Sequence, residues 1–496
     1  MRNRLFVLGW TLVALLVVAP IASADPNNNN SRKLTAAVTA EGIYEHLNAF
    51  QSIATANGGN RFAGLPGHDA SAQYVYDRMV AAGYNVRFQE FSYDASEDLS
   101  TLTKVAPPPA KEYVRSQDFI GSSSSVIGTA TGLLIAVDLR IPSTGGSTSG
   151  CEATDFAGFV AGAIALMQRG TCTFAVKVAN AQAAGASAAI LMNEGNAPDR
   201  MGLFDPIVTG TGIPTVATTF TVGLELANGM ITGSTGNTMR VNVARFVQRL
   251  TTRNVIAETD RGTSDNVVVV GAHLDSVLEG PGINDNGSGS GTILEIAEQM
   301  AKVKPRNQVR FIWFSAEESG LIGSQFYVNS LSAGERDKIA AMLNFDMVAS
   351  TNYVRFVYDG SDPAAPAGSA AIEDLFADYF ASRGLASAPT PFNGRSDYGP
   401  FIAVGIPAGG LFTGAEGIKT AAQAAVYGGT VGAQYDPCYH QACDTIANVN
   451  LTVLDQMADA AAHVTITLAQ STVTVNGVRG KGNFKPKPEH GDPLDG

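Results

Sequence analysis

The sequence has no surplus of positive charge. Its 33 lysines and arginines stand against 45 aspartates and glutamates, a net charge of −12. A nucleic-acid binder normally carries a clustered basic excess, so that class of partner is excluded. Beyond the first residues, no apolar run reaches the ~20 positions that a spanning helix needs. Cysteine is scarce, with four in 496 residues, and no CxxC pair is present to build a thiolate zinc site. There is no internal repeat. Charged residues make up 16% and hydrophobic residues 45%, which rules out wholesale disorder. At ~150 residues per domain, the chain is long enough for about three units with cores of their own.

What is present begins at the N-terminus. Arg2 and Arg4 precede an apolar run over 5–19, and Ala22, Ser23 and Ala24 supply small residues for cleavage. This three-part pattern predicts a signal peptide over 1–24 and a secreted, extracellular protein with no membrane attachment after cleavage. The cysteines agree with export. Cys151 and Cys172 lie 21 positions apart and Cys438 and Cys443 lie 5 apart, so two local disulfides are the simplest pairing of the three that four cysteines permit.

Periodicity divides the rest of the chain. Ile43, Leu47, Phe50 and Ile53 fall near helical spacing, and a second helix is predicted over 69–82 with Gly83 to stop it. Val86, Phe88 and Phe91 read as a strand. Between 107 and 247 short β-branched runs alternate with Gly, Ser and Thr, a helix is expected over 174–184, and a strand over 188–192. This stretch carries no titratable cluster and reads as an inserted module. From 254 onward strands and helices alternate. The valines over 267–270 and the apolar runs over 309–314 and 342–345 have the composition of strands buried on both faces, with a helix over 291–303 between the first two. The expected fold is therefore α/β, a mainly parallel mixed sheet sandwiched by helices, with functional groups at the carboxyl ends of its strands. The limits are 34–106 and 248–475 for the main domain, 107–247 for the insert, and 476–496 for a flexible tail rich in Gly, Pro and Lys.

The predicted strands end in chemistry. The first runs into Ala272-His273-Leu274-Asp275 and then Asn284-Asp285-Asn286-Gly287, the second into Ser315-Ala316-Glu317-Glu318-Ser319-Gly320, the third into Asn344-Phe345-Asp346-Met347. Farther on, Tyr439 and His440 sit between the close cysteines. Carboxylates at buried strand ends require opposite charge to offset their desolvation. Imidazole and carboxylate donors without thiolate suit Zn²⁺ or a similar ion, and a paired site needs a bridging carboxylate. Singly, Asp285 could be an Asx turn, Glu317 and Glu318 a solvated helix start, and His440 an exposed loop residue. His46, His68, His463 and His490 lie outside any such cluster and read as structural or surface residues.

This set of segments, with Tyr439-His440-Gln441-Ala442-Cys443-Asp444-Thr445, resembles the secreted bacterial leucyl aminopeptidases. They belong to the di-zinc peptidase family that includes glutamate carboxypeptidases, glutaminyl cyclases and transferrin receptor. The resemblance covers 34–471, and the module with Cys151, Cys172 and Gly185-Ala186-Ser187 resembles a β-rich protease-associated (PA) domain. It implies the zinc exopeptidase fold and two Zn²⁺. His273 and Asp346 would hold one ion, Glu318 and His440 the other, and Asp285 would bridge them. It further implies that Asp275 orients His273, that Glu317 is the general base toward a metal-bound hydroxide, and that Tyr439 polarises the substrate carbonyl. Arg395 lies in a substrate-contacting segment, while Met347 and Phe412 line the pocket for the first side chain. Cys438 and Cys443 match a disulfide flanking the histidine ligand. Tyr398 stands where many relatives carry histidine, but His440 already completes the set. The implied substrates are peptide or protein N-termini beginning with large apolar residues such as Leu. A carboxypeptidase or dipeptidase keeps the same ligands and is the alternative. A cyclase-like acyltransferase or a receptor-like binding protein would have lost some of them.

Overall fold

The valine run lies in the strand Thr263–His273, and its side chains alternate between two cores. Val268 and Val270 pack with Ile43, Leu47 and Phe50 of the helix Ala40–Ala56, whereas Val267 and Val269 pack on the other face with Phe314 and Phe401. Apolar side chains in both directions are what a strand covered by helices on both faces demands. The computed structural model describes residues 28–197, 200–363 and 365–477, so the expected signal peptide over 1–24 and nearly all of the tail fall outside the described residues.

In the main sheet, parallel strands Asn307–Phe314, Thr263–His273, Ile339–Phe345 and Ala408–Phe412 stand side by side. Phe356–Tyr358 joins antiparallel at one edge and carries Ala388–Thr390 beyond it. At the other edge Arg245–Glu258 pairs antiparallel with Asn307–Phe314, but only through Val255–Glu258. On its other side it pairs with Asn85–Asp98 over its whole length, from Asn85 opposite Glu258 to Asp98 opposite Arg245, and over Arg245–Asn254 that is its one partner strand. That two-stranded arm leaves the main domain and holds the insert at its end.

The insert is a second sheet formed by strands between Thr101 and Val243. Gly128–Ala136, Ile164–Gln168, Ala188–Met192 and Thr215–Thr218 run parallel inside it, with the remaining strands antiparallel. Helices Phe174–Ala183 and Phe220–Ala227 accompany them. Leu166 and Ile190 face one core of this sheet, Met167 and Leu191 the other. Both expected disulfides are formed, Cys151–Cys172 and Cys438–Cys443. Among the described residues no helix is long and apolar enough to cross a membrane.

Candidate active site

The parallel strands deliver their end residues to one place. His273 closes Thr263–His273, Glu317 and Glu318 follow Asn307–Phe314, Asp346 follows Ile339–Phe345, and Phe412 closes Ala408–Phe412. Asp285 comes from the turn Ile283–Ser288 ahead of the helix Gly289–Met300, and His440 from the loop closed by Cys438 and Cys443. Ala316, Met347 and His440 adopt left-handed backbone conformations with φ of 56°, 49° and 55°. Such conformations cost of order 1 kcal/mol or more in a residue with a Cβ, and they collect where side chains must be aimed.

Nε2 of His273 lies 3.4 Å from Oδ1 of Asp285 and 3.4 Å from Oδ1 of Asp346. Nε2 of His440 lies 3.3 Å from the other oxygen of Asp285 and 2.9 Å from Oε2 of Glu318. Oε2 of Glu317 is 3.9 Å from the His273 ring. All but the His440–Glu318 contact are longer than a good hydrogen bond. Donors ~2.0–2.1 Å from a tetrahedral ion stand about 3.3 Å apart, which is the spacing seen here. Oε1 of Glu318 and Oδ1 of Asp346 are buried without a hydrogen-bond partner, a costly state unless a cation faces them.

The electrostatics have the same origin. Burial, then the neighbouring Glu318 and Asp346, push the Glu317 carboxyl well above its usual range, and burial with Asp285 pushes Glu318 up to about 7. Burial opposes charge on both rings, yet the facing carboxylates hold His273 and His440 well above the ordinary imidazole value. Burial likewise opposes charge on Asp285, but His273 and His440 hold it low. This crowd of carboxylates exceeds the cations supplied by the chain, and its donors are those of a divalent-ion site.

Several residues that set this geometry were not assigned a role from the sequence. Oδ1 and Oδ2 of Asp444 accept from the backbone N–H groups of Asn284 and Asp285, each at 2.9 Å, which aims Asp285. Arg61, fully buried, donates to the carbonyls of Pro281 at 2.8 Å, Gly282 at 2.6 Å and Leu274, and so pins the loop after His273. Ser396 donates to Oδ2 of Asp346 at 2.6 Å and accepts from Asn344 at 2.8 Å. The carboxylate of Asp275 accepts from the N–H groups of Glu317 and Glu318 at 3.2 and 3.3 Å, while its carbonyl lies 3.2 Å from Nδ1 of His273. Asp444 stands inside the Tyr439–Thr445 segment and Ser396 beside Arg395, so their positions were in view. Asn344 likewise opens the segment that holds Asp346, whereas Arg61 lies outside all of these segments and acts on backbone carbonyls, which have no sequence signature.

A cavity of about 230 Å³ opens beside these side chains, lined by Met347, Phe412 and, unforeseen from the sequence, Phe356, Tyr358 and Tyr435. Arg395 also lines it, donating to Oε1 of Glu416 at 2.6 Å and to the Tyr439 hydroxyl at 3.2 Å. The Tyr439 ring stacks on His440 with centroids 3.8 Å apart. Tyr398 is buried near the same cavity, where its hydroxyl donates to Oδ1 of Asn393 at 2.9 Å and accepts from Gly394 at 3.1 Å.

The other histidines lie elsewhere. Nδ1 of His46 is 2.8 Å from the Tyr74 hydroxyl, and His463 stacks on Tyr379; His490 is outside the described residues. His68 is fully buried beside Thr252, and burial pushes its ring from 6.5 down to about 4. The unfolded chain therefore takes up a proton that the folded one refuses, so stability is full above 6.5 and is lost as pH falls toward 4. The whole shift corresponds to roughly 3 kcal/mol. His68→Gln should flatten the decline of Tm between about pH 6.5 and 4.5. An unchanged slope in the variant would place the acid sensitivity in another group.

Known proteins share both the sequence and this architecture. Residues 254–465 match Peptidase family M28. An aminopeptidase of Pseudomonas aeruginosa is 47% identical over 447 residues, covering 88% of this chain and 82% of its own length. The chain belongs to peptidase family M28. Its insert matches the PA domain over 130–226, so this M28 member carries a PA domain between its peptidase segments. Leucine aminopeptidase 2 of Trichophyton rubrum is 40% identical over 398 residues, 79% of this chain and 76% of its own. The solved structure of a zinc aminopeptidase from Bacillus subtilis superposes on the M28 chain with a TM-score of 0.58 at 25% identity, covering 87% of this chain and 95% of its own.

Proposed function

We propose that this chain is a secreted zinc aminopeptidase that hydrolyses the first peptide bond of peptides with a large apolar N-terminal residue. The observation that carries this reading is Asp285, whose two oxygens face different imidazoles and divide the donors into two sets. In this reading His273 and Asp346 would hold one Zn²⁺, Glu318 and His440 the other, and Asp285 would be shared between them. When bound, the ions supply Lewis-acid polarisation of the scissile carbonyl and make a water acidic near neutral pH. Glu317, whose Oε2 stands 3.9 Å from Nε2 of His273 at the edge of the donor set, takes the proton from the attacking water and passes it to the leaving amine. Tyr439 accepts from Arg395, which leaves its own O–H free to donate to the carbonyl oxygen as that atom gains charge. Asp275 orients His273 through its carbonyl and holds Glu317 and Glu318 by their N–H groups.

Export is supported by the two disulfides and by the pattern over 1–24. The division into 34–106 and 248–475 for the peptidase unit and 107–247 for the PA unit belongs to the same proposal, with Thr101–Ala106 lending a strand to the PA sheet. Hydrolysis of leucine p-nitroanilide, with metal content measured on the same sample, tests the assignment. Release of a C-terminal residue from an N-acetylated peptide, with no N-terminal release from the free one, would assign the chain to the carboxypeptidases instead.

Specificity follows from the cavity. Met347, Phe356 and Phe412 give its floor an apolar surface, so Leu, Met and Phe p-nitroanilides should be cleaved faster than those of Asp and Glu. A methylene in such a pocket is worth ~1 kcal/mol or somewhat more, so the apolar series should be graded by size. Acidic substrates at the head of the kcat/KM ranking would remove these residues from the specificity pocket.

A further inference from the structure

Two cavities meet at the metal-binding side chains. The first, about 230 Å³, is smaller than the ~300–1,000 Å³ of sites that hold whole drug-sized ligands, and suits a single residue. The second, about 630 Å³, shares Glu318 and His440 with it and runs between the PA sheet and the loop that carries Glu279. A peptide whose first residue fills the small cavity has the large one in which to place the chain that follows.

The charged groups of the large cavity are unequally engaged. Arg115 is paired with Glu279 and donates to the carbonyl of Ser100 at 3.2 Å. Asp98 accepts from the N–H groups of Gly121 at 2.7 Å and Ser100 at 3.0 Å. Glu112 and Arg240 sit at the far end, on the strands either side of Thr103 and both in register with it. Glu97 is different. It stands near the end of Asn85–Asp98, half-buried, and Ser319 donates to its Oε1 at 3.0 Å, which ties it to the residue next to Glu318. Its partner is a hydroxyl, and among the described residues it forms no ion pair. Burial raises its pKa although Ser319, His440 and Arg115 act against it, and a cation arriving in direct contact would relieve the remaining cost.

We infer that Glu97 reads the second residue of the substrate, the first of the leaving chain, and favours lysine or arginine there over aspartate or glutamate. This rests on the aminopeptidase reading. The large cavity is then the leaving-chain subsite, with one wall from the peptidase unit and the other from the PA domain.

The test uses the metal-loaded enzyme and three C-terminally amidated peptides, Leu-Lys-Ala, Leu-Ala-Ala and Leu-Glu-Ala, with leucine release as the readout. For the wild type, kcat/KM should fall in that order, with lysine ahead of glutamate by roughly fivefold or more, the scale of partly exposed charge pairs. The lysine-to-glutamate ratio should approach one in Glu97→Gln and invert in Glu97→Lys. Because it is a ratio within one protein, any general loss of activity in a variant cancels. A wild-type ratio of one, or a ratio that survives in Glu97→Gln, overturns the inference while leucine release leaves the aminopeptidase reading standing. Release of leucine from none of the peptides overturns that reading and the inference with it.

Discussion

Glu317→Gln should lower kcat by at least the ~10²–10⁴-fold typical of general acid–base catalysis while every bound metal ion stays. Glutamine keeps the shape of the side chain but cannot accept the proton of the attacking water. Its neighbour should fail differently. Oε2 of Glu318 lies 2.9 Å from Nε2 of His440, whereas Oε2 of Glu317 lies 3.9 Å from Nε2 of His273. Glu318→Gln replaces an anionic donor by a neutral one, so one ion should be lost first and activity should partly return under excess zinc. Mass spectrometry of the native protein together with kinetics at several zinc concentrations separates the two. Loss of an ion from Glu317→Gln, with full occupancy in Glu318→Gln, would mean that the roles are exchanged.

Stripping the ions with a chelator should lower Tm by ~8–16 °C. That follows from about 4 kcal/mol for ions present at a thousand times their Kd and ~2–4 °C per kcal/mol in domains of this size. The loss has a pH signature. Glu318, raised from 4.5 to about 7 by burial and then by Asp285, binds its proton more tightly folded than unfolded. The stability this contributes is fully present below 4.5 and is lost as pH rises through about 7. Burial shifts Glu317 in the same direction, and the rings of His273 and His440, raised by their carboxylates despite burial, add to it. Protons thus partly replace the missing cations, and acid also weakens metal binding in the loaded protein. The gap between loaded and chelated Tm should be widest above about pH 7.5 and narrow toward about 5.5. A gap that widens on acidification would show that charge relief is not what the ions contribute.

Much of the architecture was legible because long apolar runs admit few arrangements. Val267 to Val270, Phe311 to Phe314 and Ile339 to Leu343 carry apolar side chains in both directions, so each had to be covered on both sides, and each proved to lie in a parallel strand between helices. The helix expected over 69–82 is Pro66–Ala81, with the proline at its first turn, and the one expected over 174–184 is Phe174–Ala183. The arm of Asn85–Asp98 with Arg245–Glu258 was less visible. Only Val86, Phe88 and Phe91 suggested a strand, and its full length depends on a partner far along the chain.

The sequence alone determined which residues could be donors, since imidazole and carboxylate at the ends of buried strands have few other ways to exist. It also determined the end of the sheet at which they gather, because parallel strands point their carboxyl ends the same way. Tertiary structure alone decided how those donors are shared. That Asp285 faces His273 with one oxygen and His440 with the other depends on two irregular loops, one gripped by Asp444 and Arg61 and the other closed by a disulfide. It also decided that Glu97, at the end of a strand leading into another domain, stands beside Ser319. Periodicity reports which face of an element is apolar and carries no information about loops, whose conformation is set by hydrogen bonds to partners distant in sequence.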